Sequence, residues 1–271
     1  MRCVLRSCLL ISLAIGSLLA STTAASAGDA WWSGDWYVKL GATTFTAPRY
    51  RGDNDYLFQA KPLFSMGKAG NVVRFSARDD NPSLSLYDAG SIRVGATGKL
   101  VMPRNGDDSD DLKGLKPVKL GVELGAFAEA YPLDWMRLRA EVRHGIRSHQ
   151  GIVADLSADA FTDVTPDIRI SAGPRMTIAS QDYMTAYYGV DAAASKASGL
   201  KKYKPGAGLE SLGLAAEINW KATDKIETGA FAEYKRLMGP AANAPLVEER
   251  GSRNQVLIGL SASYRFGFTI P

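Results

Sequence analysis

The sequence predicts an all-β protein, an antiparallel transmembrane β-barrel of about twelve strands, with ten strands as the alternative. First, at least eight segments alternate apolar and polar residues with a period of two, over ten to fourteen residues in the longest. A tilted strand needs about 9–11 residues to cross a bilayer, whereas soluble strands are usually about 5–6 residues long. Second, Trp and Tyr recur near the ends of the apolar faces, where a barrel meets the membrane interfaces. Third, no window of the sequence shows a sustained helical period of 3.6 residues.

Residues 1–27 are predicted to be a secretory signal peptide that is removed. Arg2 and Arg6 form its basic region, an apolar run follows from Leu9 to Ala20, and Ala25-Ser26-Ala27 is a small-residue cleavage site. A short membrane anchor would need a longer apolar stretch. Removing 27 of the 271 residues leaves 244. No composition break divides them, so residues 28–271 are predicted to form one outer-membrane β-barrel domain.

The mature chain is nearly neutral and lacks cysteine. Since Arg2 and Arg6 fall in the signal, 30 of the 32 basic residues remain against 28 acidic ones, a net charge of +2. Such a small excess gives no indication of nucleic-acid binding. Cys3 and Cys8 also lie in the signal, which excludes disulfides and thiolate chemistry from the mature domain. No later apolar run approaches 18 residues, so a helical membrane span is not expected.

The predicted strands are weaker near the N-terminus and clearer from residue 91 onward. A first strand follows the Trp31-Trp32 pair, beginning near Trp36. The next two segments are weak, and Pro62 interrupts the first of them because proline cannot donate to a ladder of hydrogen bonds. In residues 79–91, Leu84 and Leu86 could begin a short strand or belong to a loop. The clear segments lie at 92–102, 118–129, 136–143, 152–160, 168–178, 211–221 and 225–235.

The last segment, Asn254–Phe268, has the longest alternation. Its even positions from Val256 to Phe268 are all apolar, and its odd positions are mostly small or polar. This segment is predicted to close the barrel by pairing with the first strand near Trp36–Phe45. Closure is required because a strand edge cannot be left unpaired in lipid.

The strand count includes three weak segments, at 56–66, 72–78 and 183–190. With them the total is about twelve, and an even count places both termini in the periplasm. By the same parity, the acidic loop at 103–115 would face the periplasm. The long loops 191–207 and 239–253 would face the cell exterior, where barrels carry their longer loops.

The polar face of the predicted strands would line the interior with charges of both signs. Charges that cannot reach bulk water persist by pairing. The sequence therefore predicts an interior crossed by ion pairs, narrow or plugged, instead of a selective ring of one charge. The inward charges are expected to be Arg137, Arg139, Arg143, Arg169, Arg175, Glu123, Glu217, Glu227 and Asp159.

Neither histidine indicates catalysis. His144 and His149 lie five residues apart at a strand end and do not converge, and no serine is selected as a partner. Because no set of nucleophile, base and orienting group can be assembled, we expect no enzymatic activity, no cofactor and no metal site.

The sequence also contains a run of acidic residues, whose members are Asp107, Asp108, Asp110 and Asp111. Carboxylate oxygens can bind divalent cations, but this run lacks the glycine and terminal glutamate of a calcium loop. It is expected to be a solvated turn and is the candidate contact for a partner protein.

An ordered set of short motifs runs through the mature chain and is densest from 173 to 266. Its members include Gly173-Pro174-Arg175, Asp182-Tyr183-Met184, Tyr188-Gly189-Val190, Ser198-Gly199-Leu200, Glu249-Arg250-Gly251-Ser252 and Tyr264-Arg265-Phe266. In this order they make the chain resemble the MltA-interacting protein (MipA) / OmpV family of Gram-negative outer-membrane proteins. The resemblance implies an outer-membrane barrel. It also implies a non-enzymatic scaffold that brings a lytic murein transglycosylase together with a bifunctional penicillin-binding protein.

Two other functions stay open at this stage. The charged interior could serve as a permeability or transport channel, and loops 191–207 and 239–253 could serve in surface adhesion. Outer-membrane lipid and lipopolysaccharide are expected partners of such a barrel. The family supplies no catalytic residues.

The C-terminal aromatics Tyr264, Phe266 and Phe268 are predicted to form the signal read by the barrel-assembly machinery. Family members tend to end at or near the aromatic, whereas here Gly267–Pro271 follow Phe266. Because Phe268 keeps the parity of the apolar face, the signal is expected to be shifted along the strand.

Overall fold

The computed structural model describes residues 33–68 and 75–270. They form eleven β-strands, four short α-helices and one 3₁₀ turn at Asp110–Leu112. The strands are β1 (Gly34–Pro48), β2 (Tyr56–Lys68), β3 (Ser83–Asp88), β4 (Ile92–Val101), β5 (Gly121–Leu133), β6 (Met136–Ile146), β7 (Ile152–Thr165), β8 (Ile168–Ala179), β9 (Gly208–Lys221), β10 (Ile226–Leu237) and β11 (Asn254–Ile270). The helices are α1 (Gln181–Tyr188), α2 (Ala192–Ser198), α3 (Gly239–Ala242) and α4 (Pro245–Arg250). The predicted signal peptide lies outside the described residues.

All eleven strands belong to one antiparallel sheet in the order β2-β1-β11-β10-β9-β8-β7-β6-β5-β4-β3. The predicted pairing of the last strand with the first is confirmed, since Phe268 lies opposite Trp36 and Gly259 opposite Phe45. Strands β2 and β3 are the two edges, and within the described residues no pairing joins them. The fold is therefore all-β and antiparallel, and the count of about twelve strands with full closure stays a prediction.

Of the three weak segments, one forms the predicted strand, one does not, and one is only partly described. Segment 56–66 is part of β2, but 183–190 was wrongly predicted as a strand, because it lies mostly in α1. Of segment 72–78, residues 75–78 are described and are not a strand, and the others lie outside the described residues. In α1 the buried side chains are Tyr183, Met184, Tyr187 and Tyr188. Their spacing of three and four residues puts them on one helical face.

The two faces of the sheet have opposite character. One carries charged side chains with almost no exposure, among them Arg137 (0%) and Arg143 (1%), and the other carries exposed apolar side chains such as Leu124 and Ile258. Soluble proteins normally show the reverse arrangement. The sheet curls around its charged face, because Asp80 contacts Arg137 on β6 while nearby Arg78 contacts Glu233 on β10.

The two ends of the sheet also differ. Both chain ends of the described sheet, Gly34 and Ile270, lie at one end, which we call the short-turn end. Its strand connections are at 89–91, 134–135, 166–167 and 222–225. The opposite end carries the longer connections, which we call the cap. The cap consists of residues 49–55, 102–120, 147–151, 180–207 and 238–253.

The acidic loop is part of the cap, and this corrects the parity argument. By parity the acidic loop would lie opposite loops 191–207 and 239–253, but all three lie at the same end of the sheet and contact one another. Arg250 donates to the backbone oxygens of both Asp111 and Ser198. The physical reason is that segment 183–190 lies mostly in α1 and is not a strand, and one strand fewer puts every earlier loop on the other side.

The cap packs around its own apolar side chains. One cluster joins Tyr50, Leu112, Val190, Leu200 and Leu246, which come from four separate connections. A second, larger cluster lies around α1, α3 and α4. Burial of these side chains gives the cap a core of its own above the charged interior. No helix within the described ranges is long and apolar enough to span a membrane.

Candidate functional site

The most distinctive chemistry of the molecule lies on the charged inner face, centred on β6. Arg137 donates to Asp159 (2.7 Å), and Arg139 donates to Glu129 (2.8 Å). Alternate residues of a strand share a face, so the arginines of β6 form a column flanked by carboxylates from β5 and β7. The predicted interior of paired charges is confirmed for these residues.

The third arginine of this column extends the network toward the cap. Arg143 donates to Glu123 (2.9 Å) and also contacts Glu141 and Asp155. Three carboxylates around one buried guanidinium satisfy its donors and offset the cost of removing these charges from water. The column therefore acts as internal bracing between β5, β6 and β7.

Residues 75–82 run through the interior, and we call them the plug segment. Asp79 accepts two hydrogen bonds from Arg175 (2.7 and 3.1 Å), and Asp80 accepts two from Arg137 (2.6 and 2.9 Å). The ring of Phe75 stacks on that of Phe161, with centroids 4.5 Å apart. Bidentate pairs fix both position and orientation. The plug segment is therefore anchored to β6, β7 and β8, and it fills the part of the interior next to them.

Two cavities of moderate size remain on the inner side of the sheet. One, of about 500 Å³, lies at the short-turn end and includes Phe75, Asp167 and Lys225 in its lining. The other, of about 420 Å³, lies under the cap and includes Arg51, Lys99 and Glu210. Among the described residues they have no lining residue in common, so they are two separate cavities within that part of the chain. We call the second one the cap-end cavity.

Arg51 joins the cap to the sheet. Its guanidinium donates to Glu210 on β9 (2.7 Å) and lies 5.7 and 5.5 Å from the ring centres of Tyr183 and Tyr187. The hydroxyl of Tyr188 also donates to Glu210 (2.9 Å). Burial, reinforced by the carboxylate of Glu210, raises the pKa of Tyr188, so this hydroxyl keeps its proton and remains a donor. The tyrosines of α1 thus pack around one ion pair whose carboxylate is buried.

His149 is a buried residue of the cap. Its Nε2 is 3.1 Å from Glu123, and its Nδ1 accepts from the backbone N–H of Gly151 (3.2 Å). Because Nδ1 accepts, Nε2 carries the proton and donates to Glu123. His144 points to the outer face of the sheet and does not contact His149. The pair of His149 with a carboxylate was not predicted, since sequence spacing alone gave no reason to place Glu123 beside it.

The acidic residues form a surface turn. Asp107, Asp108 and Asp110 are exposed, and Asp111 is half-buried. A hydrogen bond from Lys113 lowers the pKa of Asp110, which stays ionised. Among the described residues, no group of histidine, cysteine or carboxylate side chains could hold a metal ion.

The C-terminal aromatics all point to the apolar outer face. Tyr264, Phe266 and Phe268 lie opposite Leu40, Val38 and Trp36 of β1. The rings of Tyr264 and Phe266 are in contact, with centroids 4.7 Å apart. They form an aromatic patch at the short-turn end of the outer face.

Comparison with known proteins gives one family match. The family model described as MltA-interacting protein MipA matches residues 40–266. No individual curated protein is similar enough to this sequence to count as a match.

Among solved structures, the outer membrane channel DcaP of Acinetobacter baumannii has 8% identity, covers 86% of this chain and 97% of its own, and gives a TM-score of 0.39. In-vitro folded OmpT of Vibrio cholerae gives the same four values. A bacterial polysaccharide outer membrane secretin has 10% identity, and the match covers 84% of this chain and 98% of the secretin chain, with a TM-score of 0.41. With all three TM-scores below 0.5, these likenesses carry no conclusion.

Proposed function

Because the chain belongs to the MltA-interacting protein MipA family, we propose that it is a non-enzymatic outer-membrane β-barrel that binds cell-wall enzymes on its periplasmic side. The partner is a lytic transglycosylase of the kind in the family's name. A penicillin-binding protein is the expected second member of the complex. The protein itself contributes binding surfaces and no chemistry.

The observation that supports a membrane location is the arrangement of the two faces of the sheet, which is the reverse of that in soluble proteins. Apolar residues cover its outer face, where Leu260, Ile258 and Leu124 are exposed, while arginines are buried inside. Exposing such a continuous apolar face to water would be unfavourable at about 25 cal/mol per Å². A bilayer removes this cost, and outer-membrane barrels show the same alternation of apolar and polar residues.

The orientation follows from the two ends of the sheet. Outer-membrane barrels have short turns in the periplasm and longer loops outside. The short-turn end would therefore face the periplasm, and the cap would face the cell exterior. Exposed charges at the short-turn end are Asp134, Asp163, Asp167, Lys221, Asp224 and Lys225. This end, and not the acidic loop, is the better candidate for contact with a periplasmic enzyme.

A photo-crosslinking amino acid placed at Asp224 or at Asp108 tests this proposal in cells. Asp224 lies in a turn at the short-turn end, and Asp108 lies in the cap. We expect a crosslink to a lytic transglycosylase or penicillin-binding protein from position 224 only. Crosslinks from position 108 alone would restore the acidic loop as the contact, and no crosslink to either enzyme from either position would refute the scaffold role.

A permeability role is the second candidate, supported by the two internal cavities. The two cavities share no lining residue among the described residues, so we expect the wild-type protein to show no conductance in planar bilayers. Stable conductance of the unmodified protein would favour transport over scaffolding.

The aromatic patch at the C-terminus is proposed as the assembly signal. Its outward position leaves Phe266 accessible to another protein before the barrel is complete. We expect Phe266→Glu to reduce the amount in the outer membrane several-fold, measured by fractionation. Lys225→Glu, in a nearby turn, serves as the control for an added charge. Normal levels of Phe266→Glu would contradict this role.

A further inference from the structure

A small cavity lies in the interior beside the column of ion pairs, and we call it the inner cavity. Its volume is about 120 Å³, which is room for about four waters at about 30 Å³ each. Its lining comes from the plug segment, from strands β4 to β8 and β10, and from the cap. None of the described lining residues is on β2 or β3, so the two edge strands take no part in it.

Three cations lie where the inner cavity adjoins the cap-end cavity. Arg51, Lys99 and Lys235 are in the lining of both. Arg51 pairs with Glu210 and Lys235 pairs with Glu233, each at 2.7 Å, but neither of these two carboxylates lines the inner cavity. The three side chains therefore present positive charge to the inner cavity, and the cap-end cavity is the route by which a small ion would reach them.

Lys99 is the cation of this group that the protein neutralises least. Across residues 33–68 and 75–270, no carboxylate lies within the 4.0 Å of an ion pair with its ammonium. Glu123 and Asp155 attract it at longer range, whereas Arg51 and Arg143 repel it. An anion between Lys99 and Arg51 would replace this repulsion with two attractions, which are strong in an interior shielded from water.

Tyr183 adds a buried donor to the same cavity. It lines the inner cavity and is 1% exposed, and within the described ranges its hydroxyl forms no hydrogen bond. The rings of His149 and Tyr187 pack against its ring, with centroids 4.9 and 4.6 Å away. Burial raises the pKa of Tyr183, so the hydroxyl keeps its proton. Leaving a buried donor unpaired is unfavourable, and an anion in the cavity would accept from it.

Asp155 supplies an acceptor. It accepts hydrogen bonds from Thr177 (2.6 Å) and from Arg143. Its side chain is still 35% accessible, whereas that of Arg143 is 1% accessible. Because a carboxylate has about four acceptor positions, Asp155 has capacity for one more hydrogen bond. The inner cavity thus combines cationic and hydroxyl donors with a carboxylate acceptor.

We propose that the inner cavity binds a hydrogen phosphate ion. Lys99, Arg51 and the hydroxyl of Tyr183 donate to its unprotonated oxygens, and its own P–OH group donates to Asp155. Charged donors of this kind match the charge and the oxygens of phosphate. This binding function is separate from the scaffold role.

The carboxylate of Asp155 gives the site its selectivity. Free phosphate keeps at least one proton at neutral pH and has a hydrogen to donate. Sulfate has none, and a phosphate monoester loses its last proton with a pKa of about 6. Both of these ions would therefore meet Asp155 as like charges without a hydrogen bond between them.

Isothermal titration calorimetry of the purified mature protein in nonionic detergent at pH 7 tests the proposal. The protein is first dialysed against phosphate-free buffer, and the probes are sodium phosphate, sodium sulfate and glycerol 3-phosphate. We expect one phosphate per chain, with both other anions at least about tenfold weaker, as expected for the loss of a charged hydrogen bond. Absence of phosphate binding, or equal affinity for sulfate or glycerol 3-phosphate, would overturn the proposal.

Three variants test the individual groups. Lys99→Gln should weaken phosphate binding by about tenfold or more, because it removes a charged donor. Tyr183→Phe removes only the unpaired hydroxyl, so it should weaken binding about two- to tenfold and leave the fold intact. Asp155→Asn should reduce the preference for phosphate over sulfate, and an unchanged preference would contradict the role of this carboxylate.

Lys61→Gln and Tyr187→Phe are the matched controls. Lys61 lines the cap-end cavity and not the inner cavity, and Tyr187 is a tyrosine of α1 outside the inner cavity. Both variants should retain the wild-type affinity, and circular dichroism confirms folding of every variant. Unchanged affinity of the Lys99→Gln/Tyr183→Phe double variant, or an equal loss in the controls, would overturn the site. Since the assay needs no cell-wall enzyme, its failure is distinguishable from failure of the scaffold role.

Discussion

The two halves of the interior treat charge in different ways. Along β5 to β8, Arg137, Arg139, Arg143 and Arg175 each contact at least two carboxylates, and the plug segment fills the space beside them. Toward β10, β11, β1 and β2 a cavity remains, and two of the lysines that line it, Lys61 of β2 and Lys99 of β4, have no carboxylate within ion-pair distance among the described residues. The first half is held together by ion pairs, whereas the second keeps a cavity with two lysines that have no ion-pair partner among the described residues.

This difference shows why the number of interior charges does not indicate function. A buried ion pair whose donors are all satisfied holds strands together and has nothing to offer a ligand. A cation beside a cavity keeps its hydrogen-bonding capacity. The distinction depends on which partners the fold brings within reach.

The strongest test of the braced half is Arg137→Ala. This change leaves Asp80 and Asp159 buried without their common partner, so we expect a loss of about 3–5 kcal/mol in unfolding free energy. Urea unfolding in detergent, followed by tryptophan fluorescence, measures it. A loss below about 1 kcal/mol would show that water or another group replaces the guanidinium and that this half is not a brace.

A smaller loss is expected from Asp79→Asn, which keeps the shape of the side chain and removes its charge. Arg175 retains Asp159 (2.7 Å), so the expected loss is about 1.5–3 kcal/mol, the value of a charged hydrogen bond. The plug segment should also become more sensitive to protease in the purified protein. Wild-type resistance would show that Asp79 does not anchor it.

Arg169→Ala provides the exposed reference for these changes. Arg169 pairs with Asp163 at the short-turn end (2.7 Å), and both side chains are substantially exposed. Solvent screening limits such pairs to about 0–1 kcal/mol. A loss as large as that of Arg137→Ala would remove the contrast between braced and exposed pairs.

The smallest effect is expected from Lys99→Met in the open half. Because none of the described carboxylates lies within ion-pair distance of Lys99, removing its charge leaves no buried carboxylate of this part of the chain without a partner. Unfolding free energy should stay within about 0.5 kcal/mol of wild type or rise slightly. A loss of more than 2 kcal/mol would mean that Lys99 is a structural residue and would weaken the comparison of the two halves.

Much of the sheet could be predicted from the sequence, because period-two alternation reports directly on which side chains share a face. The strands from β4 onward, the inward direction of Arg137 and Asp159, and the pairing of β1 with β11 all followed from it. The helix α1 could not be found in this way, since it is short and its apolar face holds only four residues.

The candidate sites were harder to predict than the strands. The partners of an inward charge depend on the register and curvature of the sheet, so the plug segment and the pairing of His149 with Glu123 had no signal in the sequence. The predicted side of the sheet for the acidic loop was wrong, because that prediction needed every strand to be counted correctly.

The central claim is that the sheet spans the outer membrane with the cap outside and the short-turn end in the periplasm. Since the mature chain is predicted to lack cysteine, Asp108→Cys and Asp224→Cys each introduce a single reactive thiol. A membrane-impermeant maleimide applied to intact cells measures which one is outside. We expect Asp108→Cys to be labelled at once and Asp224→Cys only after the outer membrane is permeabilised. The reverse pattern, or labelling of both in intact cells, would contradict the claim.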